Sequence, residues 1–393
     1  MLPLPLDRRA LLASLGAAAG LGACAPMRTA AGLAYYDRLP PLAPMRAHAD
    51  RLFNVTVCLR PFRATGPRLE VEQVAGKRVV HNYGHGGSGW SLSWGSAAMV
   101  VPKAMEGGTA SIAVIGCGAL GLTAAITAQR AGAQVTIYAK ERLHQARSAR
   151  ATGTWSPDSR VALADGAGAG FPALWESMTR TSFRAHQTYL GVPGNPVEWT
   201  DRYNLNDENP DLLRERRRLA PPPHFIELQD RIRDLTPRSV LIPAGSHPFP
   251  TPFVTRNSSV TFNVTDYGHQ LINEFQLGGG RIVMREFNTP GELASLAEPV
   301  VINCTGYGAR ALWKDESIIP VRGQIAWLIP QPEVNYGLSY KNTTFLSRRD
   351  GIVVQHNGPD DTQGWMDDNE TPDRAAAEAA VATLAELYSR MKG

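Results

Sequence analysis

Between residues 110 and 141 the chain sets a short apolar run, three glycines and a helical pattern in an order that few folds accommodate. Residues 110–115 (ASIAVI) read as a buried parallel strand, because such a strand is apolar on both faces. The run leads straight into Gly116-Cys117-Gly118-Ala119-Leu120-Gly121 and then into a helical pattern over 122–131. A second strand over 134–139 ends at Lys140-Glu141, completing a βαβ unit with a dinucleotide fingerprint at its first turn. Gly116 permits the tight turn, Gly118 lets backbone amides approach a pyrophosphate, and Gly121 lets the helix close on the strand. The helix amino terminus adds partial positive charge for the phosphates. Glu141, twenty residues past Gly121, is placed to accept hydrogen bonds from both ribose hydroxyls, and its charge repels a 2′-phosphate. This unit predicts FAD or NAD and by itself does not separate them.

Composition narrows the partners. At 393 residues there is room for two or three units, and 43% apolar residues supply a large core. A formal charge of +4 is weak for this length, and the one basic cluster, 214–218, is interrupted by Glu215, so no nucleic acid is expected. Four cysteines make no disulfide scaffold. His81 and His85 lie four apart, but the glycines around His85 work against the helix that would pair them, and no metal site is expected. His85 reads as a packing or turn residue.

The first two dozen residues read as an address. Asp7-Arg8-Arg9 precede an uncharged run rich in Ala, Gly and Leu that is too short to span a bilayer comfortably. The paired arginines resemble a twin-arginine export signal, and Leu21-Gly22-Ala23-Cys24 resembles a lipobox with Cys24 as the lipidation site. The expectation is an exported bacterial protein, periplasmic or held to a membrane by its lipid anchor only. Residues 25–49, rich in Pro, Ala and Arg, read as a tether.

A longer stretch, Val80-His81-Asn82-Tyr83-Gly84-His85-Gly86-Gly87-Ser88-Gly89-Trp90-Ser91, resembles the flavin-binding signature of the D-amino-acid oxidase family. Its bare amides, ahead of a helix over 91–105, suit the edge of a flavin ring where reduction deposits negative charge. Leu59-Arg60-Pro61-Phe62-Arg63 resembles the family's R-P-x-R element, which implies that Arg63 grips the substrate α-carboxylate through its planar fork. Val300-Val301-Ile302-Asn303-Cys304-Thr305-Gly306 resembles the V-N-C-T-G strand near the cofactor, and Pro320-Val321-Arg322-Gly323-Gln324 the R-G-Q element. Residues 148–155 resemble the flavin-contacting stretch, with Ser148 at a phosphate-contacting position and Gly153 and Thr154 beside it. Phe287 is assigned to the same cofactor site, and Gly87 to the substrate side as well. Tyr340 falls on the family's lid tyrosine. The second family tyrosine falls near Thr344, a departure that touches substrate preference, and Tyr336 is a spare.

The resemblance implies an α/β fold, a Rossmann-like FAD-binding domain with a second, mostly antiparallel-sheet substrate domain, and it favours FAD as cofactor. The order departs from the family plan: R-P-x-R and G-H-G-G precede the dinucleotide strand, which reads as a circular permutation joined at Glu106-Gly107-Gly108-Thr109. The expected divisions are the signal 1–24, tether 25–49 and permuted segment 50–105. FAD-binding parts 106–200 and 261–318 then alternate with substrate parts 201–260 and 319–370, before a helix in 371–393. The second sheet is expected from strands over 321–328, 339–347 and 351–355. The implied reaction is oxidative deamination of D-amino acids to 2-oxo acids, ammonia and hydrogen peroxide, with the α-hydrogen leaving as hydride to flavin N5 and oxygen as acceptor. Oxidation of glycine, sarcosine or another secondary amine stays open, as does a flavin-carrying lipoprotein without turnover. Oligomeric state is open too, a dimer included.

Overall fold

The computed structural model describes residues 41–219, 223–358 and 362–391, and from Ala43 onward they form one compact unit. Residues 1–24, where an export signal ending at Cys24 is expected, lie outside the described residues. The strands are β1 (Leu52–Arg63), β2 (Val71–Val74), β3 (Lys77–His81), β4 (Ser111–Ile115), β5 (Gln134–Ala139), β6 (Val197–Asn206) and β7 (Val240–Ile242). They continue with β8 (Phe253–Phe262), β9 (Arg281–Met284), β10 (Val300–Asn303), β11 (Ile318–Leu328), β12 (Tyr336–Tyr340), β13 (Thr343–Arg348) and β14 (Gly351–His356). The α-helices are α1 (Gly89–Met105), α2 (Ala119–Arg130), α3 (Phe171–Gln187), α4 (Pro210–Arg218), α5 (Val264–Leu277), α6 (Ala309–Leu312) and α7 (Arg374–Ser389).

One sheet runs β2-β3-β10-β4-β5-β9 and is parallel from β3 to β9. Its central strands β4 and β10 are almost wholly buried and largely apolar because both faces are covered, whereas β2 and β9 at the edges are partly exposed. Ile112 and Val114 enter a core built with α1, α2, α3 and α5, whereas Ala113 and Ile115 enter another with Phe287, Leu293 and Val301. The second sheet runs β1-β11-β14-β13-β12-β6-β8-β7, antiparallel except between β12 and β6. The single strand expected over 339–347 is corrected to two. Lys341 and Asn342 both adopt positive φ, 44° and 57°, and turn β12 back into β13.

Segment 50–105 is split between the sheets. β1 pairs with β11, β3 pairs with β10, and α1 packs on α2. Gly107 and Gly108, with φ of 82° and 76°, turn α1 directly into β4. At the other end of the segment, Met45 N donates to Tyr388 Oη of α7 at 3.2 Å, and Tyr336 Oη donates to Ala43 O at 2.8 Å. Residues 43 and 45 of the expected tether are therefore docked against β12 and α7.

Candidate active site

The parallel strands end in one cleft. A cavity of about 440 Å³ lies at the carboxyl ends of β4, β5 and β10, where open parallel sheets take their ligands. Gly116, Cys117, Gly118, Ala119 and Leu120 line it, with Lys140 and Glu141 after β5, and Ser148, Phe287 and Thr305. Gly121 does not line the cavity. A Cβ there would run into Gly116 O, and one at Gly116, whose φ is +108°, would lie 2.5 Å from Cys304 O. Ser148 Oγ accepts from Ala119 N at 3.2 Å, at the start of α2.

Another wall of this cavity is the loop 84–89 between β3 and α1. Gly86 has φ +56°, and a Cβ on it would collide with Arg160 O. Gly86 N donates to Pro61 O at 2.9 Å and Gly87 N to Ser159 O at 3.0 Å, so β1 and the 159–160 segment clamp the loop from two sides. Gly86, Gly87, Gly89 and Trp90 line the cavity. Ser88 is buried behind them, its hydroxyl donating to Ser159 O, and Ser91 Oγ accepts from Ser156 N at 2.9 Å. The amino ends of α1 and α2 both open into this cleft, so their partial positive charges converge on it. His85 shares a 2.8 Å hydrogen bond with Ser96 Oγ, and burial pushes its pKa down to about 3, which leaves a neutral ring.

A second cavity of about 410 Å³ shares Arg60, Gly87, Trp90, Ala151, Thr152 and Gln355 with the first. Its roof is one face of the antiparallel sheet: Arg202 and Asn204 of β6, Asn257 and Ser259 of β8, Ser339 of β12 and Thr344 of β13. Gly153, Thr154 and Ser91 line this second cavity. Arg60 lines both, with its Nη1 donating to Arg322 O at 3.1 Å.

Two expected substrate residues are corrected. Arg63 lines neither cavity; its Nε donates to Ser317 Oγ at 2.8 Å and stands 3.7 Å from Asp315 Oδ2, and its Nη1 donates to Gly66 O at 3.2 Å. Residues three apart on a strand face opposite sides, so Arg60 and Arg63 cannot both face the cleft. Tyr340 also turns away, donating to Asp207 Oδ2 at 2.9 Å and accepting from Arg390. Tyr336 shares its face, and the strand alternation leaves Gly337 and Ser339 toward the cavity. Among the described residues no tyrosine lines the second cavity. Thr344 does, accepting from Asn357 Nδ2 at 3.1 Å. Sequence reasoning misses Arg160, Arg202, Gln355 and Asn357, which belong to no local motif; strand parity was the available signal for choosing Arg60.

A glycine-lined cleft at the carboxyl ends of a parallel sheet, roofed by a mostly antiparallel one, is the arrangement of a dinucleotide-dependent class of enzyme. The family model described as FAD dependent oxidoreductase (DAO) matches residues 111–392, and the chain belongs to that family. A D-amino-acid oxidase from Rubrobacter xylanophilus is 27% identical over 288 residues, covering 71% of this chain and 78% of that protein. A D-aspartate oxidase from Talaromyces thermophilus is 49% identical over 57 residues, 13% of this chain and 15% of that one. The crystal structure of glycine oxidase from Geobacillus kaustophilus aligns with a TM-score of 0.44 at 12% identity, covering 63% of this chain and 71% of that one. The cofactor is FAD. The cleft fits it, because the glycine turn at Gly116 and Gly118 and the amino end of α2 line it together with the Glu141 carboxylate after β5, a pairing of phosphate and ribose partners.

Proposed function

We propose that the protein oxidises D-amino acids to 2-oxo acids. Substrate, water and dioxygen give the 2-oxo acid, ammonia and hydrogen peroxide; the Cα–H and N–H bonds give up two electrons and two protons, and dioxygen takes both. The observation that supports this most is Arg60, a guanidinium on the lining shared by the flavin cleft and the roofed cavity. Bound FAD supplies the two-electron oxidant.

The chain's own residues bind and orient. The Gly118 turn at the α2 amino end would hold the phosphates and Glu141 the ribose, while the amino end of α1 at Gly89 and Trp90 lines the same cleft; the Gly86 and Gly87 amides, expected to meet the ring, instead donate to Pro61 O and Ser159 O. Arg60 pairs with the α-carboxylate, which fixes how Cα approaches, and the antiparallel roof keeps water out. Neutral His85 packs the loop and moves no proton. A second reading, oxidation of glycine or a secondary amine, is favoured by one feature: Thr344 and Ser339 stand on the roof where no tyrosine restricts the cavity.

Anaerobic mixing of purified holoprotein with D-alanine, D-aspartate, glycine and sarcosine tests both. Bleaching of the flavin by a D-amino acid is the expected result. Bleaching by glycine or sarcosine alone moves the assignment to the second reading, and bleaching by none removes both.

We also propose that the chain is a circular permutation. The support is that the family match begins at residue 111 while the elements before it enter both sheets. We further propose export with lipid on Cys24, so that Cys24→Ser should release the protein from the membrane fraction.

A further inference from the structure

The second cavity is lined by three arginines, Arg60, Arg160 and Arg202, and by no aspartate or glutamate among the described residues. Arg202 is the informative one. It stands on β6, with its Nη1 donating to Thr154 Oγ1 and its Nη2 to Thr261 Oγ1, both at 2.9 Å. Those partners are neutral hydroxyls, a longer contact reaches Val260 O, and no carboxylate of the described residues pairs with it. Its Nε is buried without an acceptor. Burial alone pushes this guanidinium down to about 10, as expected for a cation stripped of water without a counter-charge.

A fold that keeps such a charge facing a cavity gains most when the ligand supplies the missing anion. The α-carboxylate of an amino acid has to lie beside the flavin cleft, and Arg60 lines both spaces, whereas Arg202 lines only the second. The charge at Arg202 therefore calls for another negative group on the same molecule. Asn204, Asn257 and Ser339 stand on the same roof and offer neutral amide and hydroxyl groups beside it.

We propose that the substrate is a dicarboxylic amino acid, its α-carboxylate on Arg60 and its distal carboxylate on Arg202. This rests on the amino-acid-oxidase reading above. Arg202 is then a specificity residue, and its loss should appear in KM more than in kcat.

The test compares holoenzyme and Arg202→Gln with D-aspartate, D-glutamate and D-alanine, and titrates both proteins with unreactive succinate and acetate while following the flavin absorbance. For at least one acidic substrate the native kcat/KM should exceed that for D-alanine by about 100-fold. Arg202→Gln should erase that preference, leave D-alanine within about threefold, and weaken succinate about tenfold with acetate unchanged. Arg202→Lys, which keeps the charge, should retain part of the preference and guards against a folding defect. A native preference for D-alanine, or equal losses on every substrate, overturns the proposal. If no D-amino acid reduces the flavin yet succinate binding depends on Arg202, the oxidase reading fails and the anion pocket stands; if succinate does not bind either, both fail.

Discussion

At the scale of single residues, two arginines three positions apart have opposite jobs. Arg63 ties β1 to Ser317 and Asp315, while Arg60 faces the joined cavities. Arg60→Ala should lower kcat/KM by about 100-fold or more with flavin retained. Arg63→Ala should leave turnover largely intact and lower stability by about 1–3 kcal/mol, read from a urea midpoint. Buried histidines make a pH prediction. Burial holds His85 and His186 at about 3, whereas an unfolded histidine takes its proton near 6.5. Below pH ~6.5 the unfolded chain binds more protons, so each histidine removes about 1.4 kcal/mol of stability per pH unit until about pH 3. Denaturation between pH 7.5 and 5 should show that decline, and His186→Gln should make it shallower; an equal slope in the variant would refute the assignment.

At the scale of elements, β12 and β13 show how a small local choice re-aims a face. Lys341 and Asn342 make a two-residue turn with both φ positive, and the pairing that follows puts Tyr336 and Tyr340 on α7's side and Thr344 on the cavity side. Asn342→Ala should destabilise by about 1–2 kcal/mol, read from a urea midpoint, since alanine is strained at the positive φ that asparagine tolerates; an unchanged midpoint would mean the turn is built differently. The βαβ unit was legible in the chain because its signals are local: an apolar run, glycines at fixed spacing and a helical period. The roof was not legible. Arg202, Asn257 and Thr344 sit far apart in the chain and share a surface only through strand register, with Arg202 opposite Asn257 and Gly337.

At the scale of the whole molecule, the docking of residues 43 and 45 on β12 and α7 brings the start of the body beside its carboxyl-terminal helix. A chain rebuilt as residues 110–391, a short glycine-serine linker and then 50–105 should fold, bind flavin and keep activity within about tenfold. Insoluble or colourless protein would count against the permutation. The amino-acid sequence by itself determined the dinucleotide unit and the glycine loop at 84–89, because close backbone approach leaves glycines at fixed positions, while the choice of a flavin over NAD rested on the family resemblance of that loop. Which arginine meets a substrate, and which tyrosines do not, only the tertiary structure decided. Those choices depend on strand parity and on pairing between residues hundreds of positions apart, and no short stretch of sequence carries either.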